Sequence, residues 1–341
     1  MVAIIEFKNF SMGFQDDDGQ VFNLLDRVSF RVEEGKALGV VGESGCGKSM
    51  TSLSLMRLLP DAAVVQGGEI LLEGKNVLDL SEDEMRHVRG NKVSMIFQEP
   101  MTALNPVLTI GEQIGESLVL HHPNMKGEDI RRKVIKVLES VGISNSETRI
   151  NQYPHEFSGG MRQRVMIALA IINQPKLLIA DEPTTSLDVT IQAQILDLMK
   201  QLKGESGSLL LITHNLGIVA EICEEVVVMY AGRTVERGTL ETIFNRPSHP
   251  YTIGLMSSVP TMKSEKKPLP TIAGSVPTVY DFPPGCRFCD RCDRRLPRCS
   301  EEVPPTKIIG KDHIIQCWLP FEGEELVDDG KAYIVASQRA D

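Results

Sequence analysis

Gly42-Glu43-Ser44-Gly45-Cys46-Gly47-Lys48-Ser49 decides how the rest of this sequence is read. It fits the pattern G-x-x-x-x-G-K-S/T. It follows the apolar run Ala37–Val41 and opens a helical pattern through Leu59, the strand–loop–helix context that a phosphate-binding loop needs. Glycines let backbone amides turn inward around phosphates, and the helix N-terminus adds positive potential there. Gly42, Ser44, Gly45, Cys46 and Gly47 would form the cradle. Lys48 would reach the β- and γ-phosphates, and the Ser49 hydroxyl would ligate Mg²⁺. The implied ligand is a nucleoside triphosphate.

Outward from the loop, short β-branched runs alternate with longer helical patterns. The spacing predicts strands at Ala37–Val41, Val93–Phe97, Lys176–Ala180, Ser208–Thr213 and Val226–Ala231. Their unbroken apolar character suits a mainly parallel sheet buried on both faces. Between about Glu99 and Arg164 the chain reads as helices, with Thr109–Leu120 and Gly127–Val141 carrying apolar residues at helical spacing. The chain has 341 residues, enough for two domains at about 150 each. Twelve of its 19 prolines lie from Pro247 onward, and so do five of its seven cysteines. A boundary near residue 245 follows, with an α/β region before it and a loop-rich appendage after it. The longest strongly apolar stretch, Val165–Ile172, is far short of the roughly 20 residues of a membrane span. No basic segment leads into a long apolar core at the N-terminus, so a soluble, cytoplasmic chain is expected. A net charge of −10 argues against broad binding to nucleic acid or anionic membranes.

Two more elements carry chemistry. Leu177-Leu178-Ile179-Ala180-Asp181-Glu182 is an apolar strand ending in two carboxylates. Asp181 can hold the Mg²⁺ shell and Glu182 can polarise the attacking water. Phe157-Ser158-Gly159-Gly160-Met161 precedes a helix and offers a second set of N-terminal amides to an anion. One triphosphate cannot readily use both glycine-rich helix starts in one compact fold, so Ser158, Gly159 and Gly160 are assigned to a partner subunit's nucleotide. Each of these segments taken singly would be an ordinary turn or cap; their combination gives them function.

With these residues in order, the sequence resembles the ATP-binding subunits of ABC transporters over residues 3–260. The matching parts are the loop 42–49, Gln98, Ser158-Gly159-Gly160, Asp181-Glu182, Ser186-Leu187-Asp188 and His214. The resemblance implies an α/β P-loop ATPase core with a mixed, mainly parallel sheet and an N-terminal β subdomain. It implies a cassette over 1–245 with an inserted helical subdomain over about 99–164, and a Cys-rich appendage over 246–341. It assigns Gln98 to sensing Mg²⁺ and water, His214 to the γ-phosphate and Phe14 to stacking on adenine; Phe14 fits a core position equally well. Phe97-Gln98-Glu99-Pro100-Met101-Thr102-Ala103-Leu104-Asn105-Pro106, Phe157 to Arg164 and His249-Pro250-Tyr251-Thr252 further resemble peptide-importer ATPases. The implied activity is ATP hydrolysis driving uptake of di- or oligopeptides from the cytoplasmic membrane face. The implied partners are a second, paralogous ATPase subunit, two transmembrane permease subunits and an extracytoplasmic substrate-binding protein. Alternatives are an importer ATPase for nickel or another small solute, or a soluble ABC ATPase using its Cys/Arg appendage on nucleic acid. Cys46 and Ser186 are small departures from the usual residues. Cys46, at a helix N-terminus, is expected to have a stabilised thiolate, and Cys223 to be a core residue.

The last cysteines are spaced Cys286-x2-Cys289-x2-Cys292-x6-Cys299-x17-Cys317. In a reducing compartment such a cluster reads as a metal site rather than disulfides. The interleaved Arg287, Arg291, Arg294, Arg295 and Arg298 are expected to lower the thiol pKa values. A zinc site using His313 with three cysteines is one outcome. The peptide-importer resemblance implies instead a 4Fe-4S cluster on Cys286, Cys292, Cys299 and Cys317, with Cys289 extra. The close triplet 286–289–292, which resembles a ferredoxin run, keeps the choice of four open.

Overall fold

The computed structural model describes residues 2–98, 103–184, 189–205, 207–259 and 270–327. Strands β1 (Ala3–Gln15), β2 (Val21–Glu33) and β3 (Ala37–Val41) lead into α1 (Lys48–Met56), β4 (Ala63–Leu72) and β5 (Lys75–Asn76). Then come α2 (Glu82–Val88), β6 (Val93–Ile96), α3 (Ile110–His121), α4 (Gly127–Ser140), α5 (Ser146–Arg149), α6 (Gly159–Ile171) and β7 (Leu177–Asp181). The chain continues through α7 (Val189–Glu205), β8 (Ser208–Thr213), α8 (Leu216–Ile222), β9 (Glu225–Tyr230) and β10 (Arg233–Thr239). It closes with α9 (Leu240–Asn245), α10 (Pro250–Ser257), β11 (Thr306–Gly310), β12 (His313–Gln316) and β13 (Glu325–Val327). These elements form two compact units. One holds residues 34–37 and 79–211; the other holds 2–33, 38–78 and 212 onward.

In the first unit β6 and β7 run parallel, from Val93 opposite Leu177 to Ile96 opposite Ala180. Every residue of both strands is buried, as their apolar runs require. Helices α2, α3 and α6 begin at the side-chain caps Ser81, Thr109 and Ser158. Thr109 Oγ1 accepts the Glu112 N–H at 3.2 Å while the Glu112 carboxylate accepts the Thr109 N–H at 2.8 Å. Thr109 is therefore the cap of α3 rather than its first residue. Small residues let the helices close on one another: a Cβ on Gly115 of α3 would stand 3.2 Å from Ile130 Cγ2 of α4. The described part of the expected helical subdomain is thus helical throughout its long segments.

The second unit carries an antiparallel sheet in the order β2-β1-β4-β5. Its core is aromatic, with Phe7 stacked on Phe30 at 4.6 Å and edge-on to Phe10 at 5.9 Å. Beside these strands the unit holds the series β13-β11-β12-β10-β9-β3. β3 and β9 are parallel, Leu38 opposite Glu225 through Val41 opposite Val228, and the other pairings are antiparallel. The tail departs from the loop-rich expectation at this point. Ile314 and Ile315 of β12 pair with Arg237 and Glu236 of β10, so the tail adds three short strands to an existing edge. Backbone groups too few to form a sheet of their own are satisfied by one already present.

Candidate active site

The loop between β3 and α1 is shaped by what its glycines avoid. A Cβ at Gly42 would fall 2.2 Å from the Met229 carbonyl oxygen. Gly47 has φ +96°, and a Cβ there would stand 2.6 Å from Leu25 Cδ2. The loop so formed wraps the Lys48 ammonium. Lys48 is 5% exposed, and its Nζ donates to the carbonyls of Gly42 at 2.8 Å and Glu43 at 3.0 Å. A buried cation needs such oxygens, and these hold it inside the loop, beside the backbone amides that would face phosphate. Ser49 stands half-buried in the first turn of α1, and Ser44 and Gly45 are exposed. Cys46 corrects an expectation: burial pushes its thiol up, and neighbouring Lys48 does not reverse this. Its thiolate is not stabilised, and Cys46 packs as a fully buried small residue. Cys223 is buried as expected.

In the other unit, the parallel pairing of β6 and β7 brings Gln98 and the Asp181-Glu182 pair to the same end of two neighbouring strands. Gln98 is exposed, Asp181 is buried and Glu182 is half-buried. Glu182 has φ +46°, a conformation that costs a non-glycine residue about 1–3 kcal/mol and gathers at functional sites. Gln163 of α6 reaches the same turn, its Nε2 donating to the Pro183 carbonyl at 2.7 Å. Ser158 caps α6, its Oγ accepting the Met161 N–H at 3.4 Å. Ser158 and Gly159 are exposed at that helix start. Ser186, Leu187 and Asp188, and residues 99–102 of the expected permease-facing segment, lie outside the described residues.

His214 is exposed directly after β8, where Asn215 caps α8. Phe14 is half-buried, opposite Phe22 in the β1–β2 ladder, so it is not a core residue.

The arginines of the tail behave differently from expectation. Arg287 donates to the carbonyls of Leu24 (2.9 Å), Asn23 (3.1 Å) and Ala231. Arg291 reaches Glu43. They tie the cysteine loop to β2, to the turn between β9 and β10 and to the loop after β3, rather than activating thiols. Burial, aided by nearby thiols, pushes Cys286 up to about 12 and Cys317 up to about 11. Cys292 and Cys289 are also raised, burial again leading, although Arg294 and Arg295 pull in the other direction. Cys289 donates its S–H to Asp290 at 3.6 Å. His313 directs Nε2 to Glu236 Oε1 at 2.7 Å. Among the described residues, no group of three or more His, Cys, Asp or Glu side chains is placed to hold a metal ion.

Sequence reasoning passed over Glu43, Gln163, Glu236 and the reach of Arg291. Glu236 is fully buried and accepts the Ser248 N–H at 2.7 Å and the His249 N–H at 3.0 Å. Burial pushes its carboxyl up, but bonds from His313 and these two amides hold it below the ordinary value. A lone acid inside the run Arg233–Thr239 was the available signal.

A strand–loop–helix carrying a buried lysine, with a second strand ending in two carboxylates, defines a P-loop nucleoside triphosphatase. Residues 25–185 match the family described as ABC transporter, and residues 235–299 match the one described as oligopeptide/dipeptide transporter, C-terminal region. The chain is 48% identical over 327 residues to the dipeptide transport ATP-binding protein DppD of Bacillus subtilis, covering 95% of this chain and 97% of that protein. It is 50% identical over 297 residues to the oligopeptide transport ATP-binding protein AppD of the same organism, covering 86% of this chain and 90% of that one. Among solved structures it resembles a dimeric ATP-binding cassette bound to ADP and phosphate, with TM-score 0.62 and 26% identity over 69% of this chain and 98% of that one. The chain belongs to the ABC transporter ATP-binding family.

Proposed function

We propose that this chain is the ATP-hydrolysing subunit of an ABC importer for di- or oligopeptides, working at the inner membrane face through permease subunits. One observation carries the reading: a P-loop and a C-terminal region of the oligopeptide/dipeptide transporter type stand in one chain, and the similarity to DppD runs through both. No described helix is long and apolar enough to cross a membrane, so membrane attachment is assigned to separate permeases. The cassette is assigned to 1–245, its helical subdomain to about 99–164, and the appendage to 246–341. ATP is held by Gly42–Ser49 with Phe14 at the adenine, and Mg²⁺ by Ser49, Gln98 and Asp181. Glu182 activates water, and His214 contacts the γ-phosphate. Ser158, Gly159 and Gly160 serve the nucleotide of a second, paralogous ATPase subunit. Purifying the native complex and measuring its ATPase with an extracytoplasmic binding protein tests this. Stimulation by peptide-loaded binding protein is expected. Stimulation by a nickel-loaded one, or co-purification of nucleic acid without permeases, would defeat it.

The tail is assigned a 4Fe-4S cluster on Cys286, Cys292, Cys299 and Cys317. Support comes from donor chemistry, not from an assembled coordination shell: Cys299 and Cys317 are buried thiols, Cys286 and Cys292 are half-buried, and Cys286, Cys292 and Cys317 are each raised by neighbouring thiols including Cys299. Cys289, bonded to Asp290, is the natural bystander. In the zinc alternative His313 would ligate through Nδ1, because Nε2 already meets Glu236. Anaerobically purified protein is expected to be brown, with about four irons and four sulfides. Cys289→Ser should retain them. One zinc per chain without acid-labile sulfide would overturn the assignment.

A further inference from the structure

Glu43, the second residue of the phosphate-binding loop, has every one of its polar groups engaged. Its N–H donates to Tyr251 Oη at 2.9 Å. Its carbonyl accepts Lys48 Nζ at 3.0 Å. Its two carboxylate oxygens meet Arg291 Nη1 at 3.1 and 3.0 Å. Residues more than 200 positions away therefore grip the segment that also holds the loop lysine.

Both grips are built rather than incidental. Tyr251 is fully buried in α10. That helix starts where it does because Pro250 fills its first position and His249 Nδ1 accepts the Tyr251 N–H at 3.1 Å. His249 is in turn held through its own N–H by Glu236. The Tyr251 ring lies 4.7 Å from Tyr230 and 5.4 Å from Phe288, centroid to centroid, and Phe288 belongs to the cysteine loop. The Arg291 side chain is only 7% exposed, with Nε on the Ala273 carbonyl at 2.9 Å and Nη1 3.3 Å from Tyr230 Oη. A guanidinium so fixed presents one orientation to Glu43.

We propose that Tyr251 and Arg291 are positioning residues for the nucleotide site, bracing Glu43 so that the loop keeps its shape when Lys48 exchanges carbonyl oxygens for phosphate. The Lys48 contacts in the loop are to carbonyls that phosphate must replace. A loop shaped only by Lys48 would relax as the lysine left. With the Glu43 amide and carboxylate anchored from outside, the inward-facing amides stay in place and binding pays no reordering cost. The His-Pro-Tyr-Thr segment and the arginine beside Cys292 thereby gain a role in ATP affinity. This inference rests on the ATPase reading above and goes beyond it.

The test is MgATP binding to the full-length chain. Tyr251→Phe leaves the half-buried Glu43 amide without its acceptor, and about tenfold weaker binding is expected. Arg291→Ala should weaken binding several-fold. Arg291→Lys should recover part of that loss, and Arg291→Ala should cost nothing further in a Glu43→Ala background, which a general packing defect would not reproduce. Tyr280→Phe, on an exposed ring of the same tail, is expected to bind like the wild type. Unchanged affinity in folded Tyr251→Phe and Arg291→Ala proteins, or an Arg291→Ala loss that persists without Glu43, overturns the inference. Failure of the wild-type chain to bind MgATP would instead remove the underlying ATPase reading.

Discussion

The glycine-bearing starts of α1 and α6 differ in what surrounds them. At α1 the loop encloses its own cation: Lys48 is buried, Gly47 sits at φ +96°, and Tyr251 and Arg291 hold Glu43. At α6, Ser158 and Gly159 are exposed, and a Cβ on Gly159 would meet nothing within 4 Å. The first start is a closed cradle that brings its own charge. The second is open to its surroundings, the arrangement that the proposed contact with a partner subunit's nucleotide would need.

The open start is nevertheless tied to chemistry in its own unit, since Gln163 of α6 holds the Pro183 carbonyl next to Glu182. The largest effect is therefore expected at Glu182. Glu182→Gln should retain ATP binding and lower hydrolysis in the assembled transporter by about 10²–10⁴-fold, the range for losing a general base. A parental rate would remove Glu182 from that role.

Lys48→Ala attacks the closed cradle. Losing a charged donor costs about 1.5–3 kcal/mol, or roughly 10–100-fold in ATP affinity of the isolated chain. Ser158→Arg should leave that affinity intact and abolish ATP-dependent association, read by size-exclusion chromatography. Equal loss of binding in both variants would erase the distinction between the two starts.

What the sequence made legible follows the same division. Ala37–Val41 and Ser208–Thr213 appear as predicted because fully buried strands read as unbroken apolar runs. β1 and β2 were expected only through the resemblance. Asn9 at φ 48° and Arg27 at φ 51° sit where their register shifts, so the alternation that marks a strand is interrupted. The tail strands were hidden because three to five residues make a strand only beside an edge such as β10. The brace was hidden for a different reason: Arg291 and Glu43 are 248 residues apart, and spacing carries no signal over that distance.

The brace should also carry a pH signature that the open start lacks. Burial pushes the His249 pKa down from 6.5 to about 4, with Glu236 opposing only in part. The unfolded chain takes up a proton through the window from 6.5 to about 4 that folded His249 refuses. This contribution is therefore complete above that window and lost as pH falls through it. His249→Asn offers Tyr251 an acceptor that does not titrate. Urea midpoints at pH 7 and pH 5 should fall more steeply in the wild type than in the variant; parallel slopes would show that His249 is not the source.

The smallest effect sharpens the comparison most directly, because the same change is made at both helix starts. Gly47→Ala forces a side chain into a left-handed conformation and against Leu25 Cδ2, so a loss of about 1–3 kcal/mol is expected in urea denaturation. Gly159→Ala adds a methyl into open space on a helical residue, where alanine is favoured over glycine by at most about 1 kcal/mol. Its fold should be unchanged or slightly more stable. If Gly159 is glycine so that a neighbouring subunit's phosphates can approach the backbone, that stable variant should still lose ATP-dependent association, which the isolated fold gives no reason to lose. A Gly159→Ala protein that is stable and associates normally would reduce the glycine to an ordinary helix start and leave Ser158 to carry the contact.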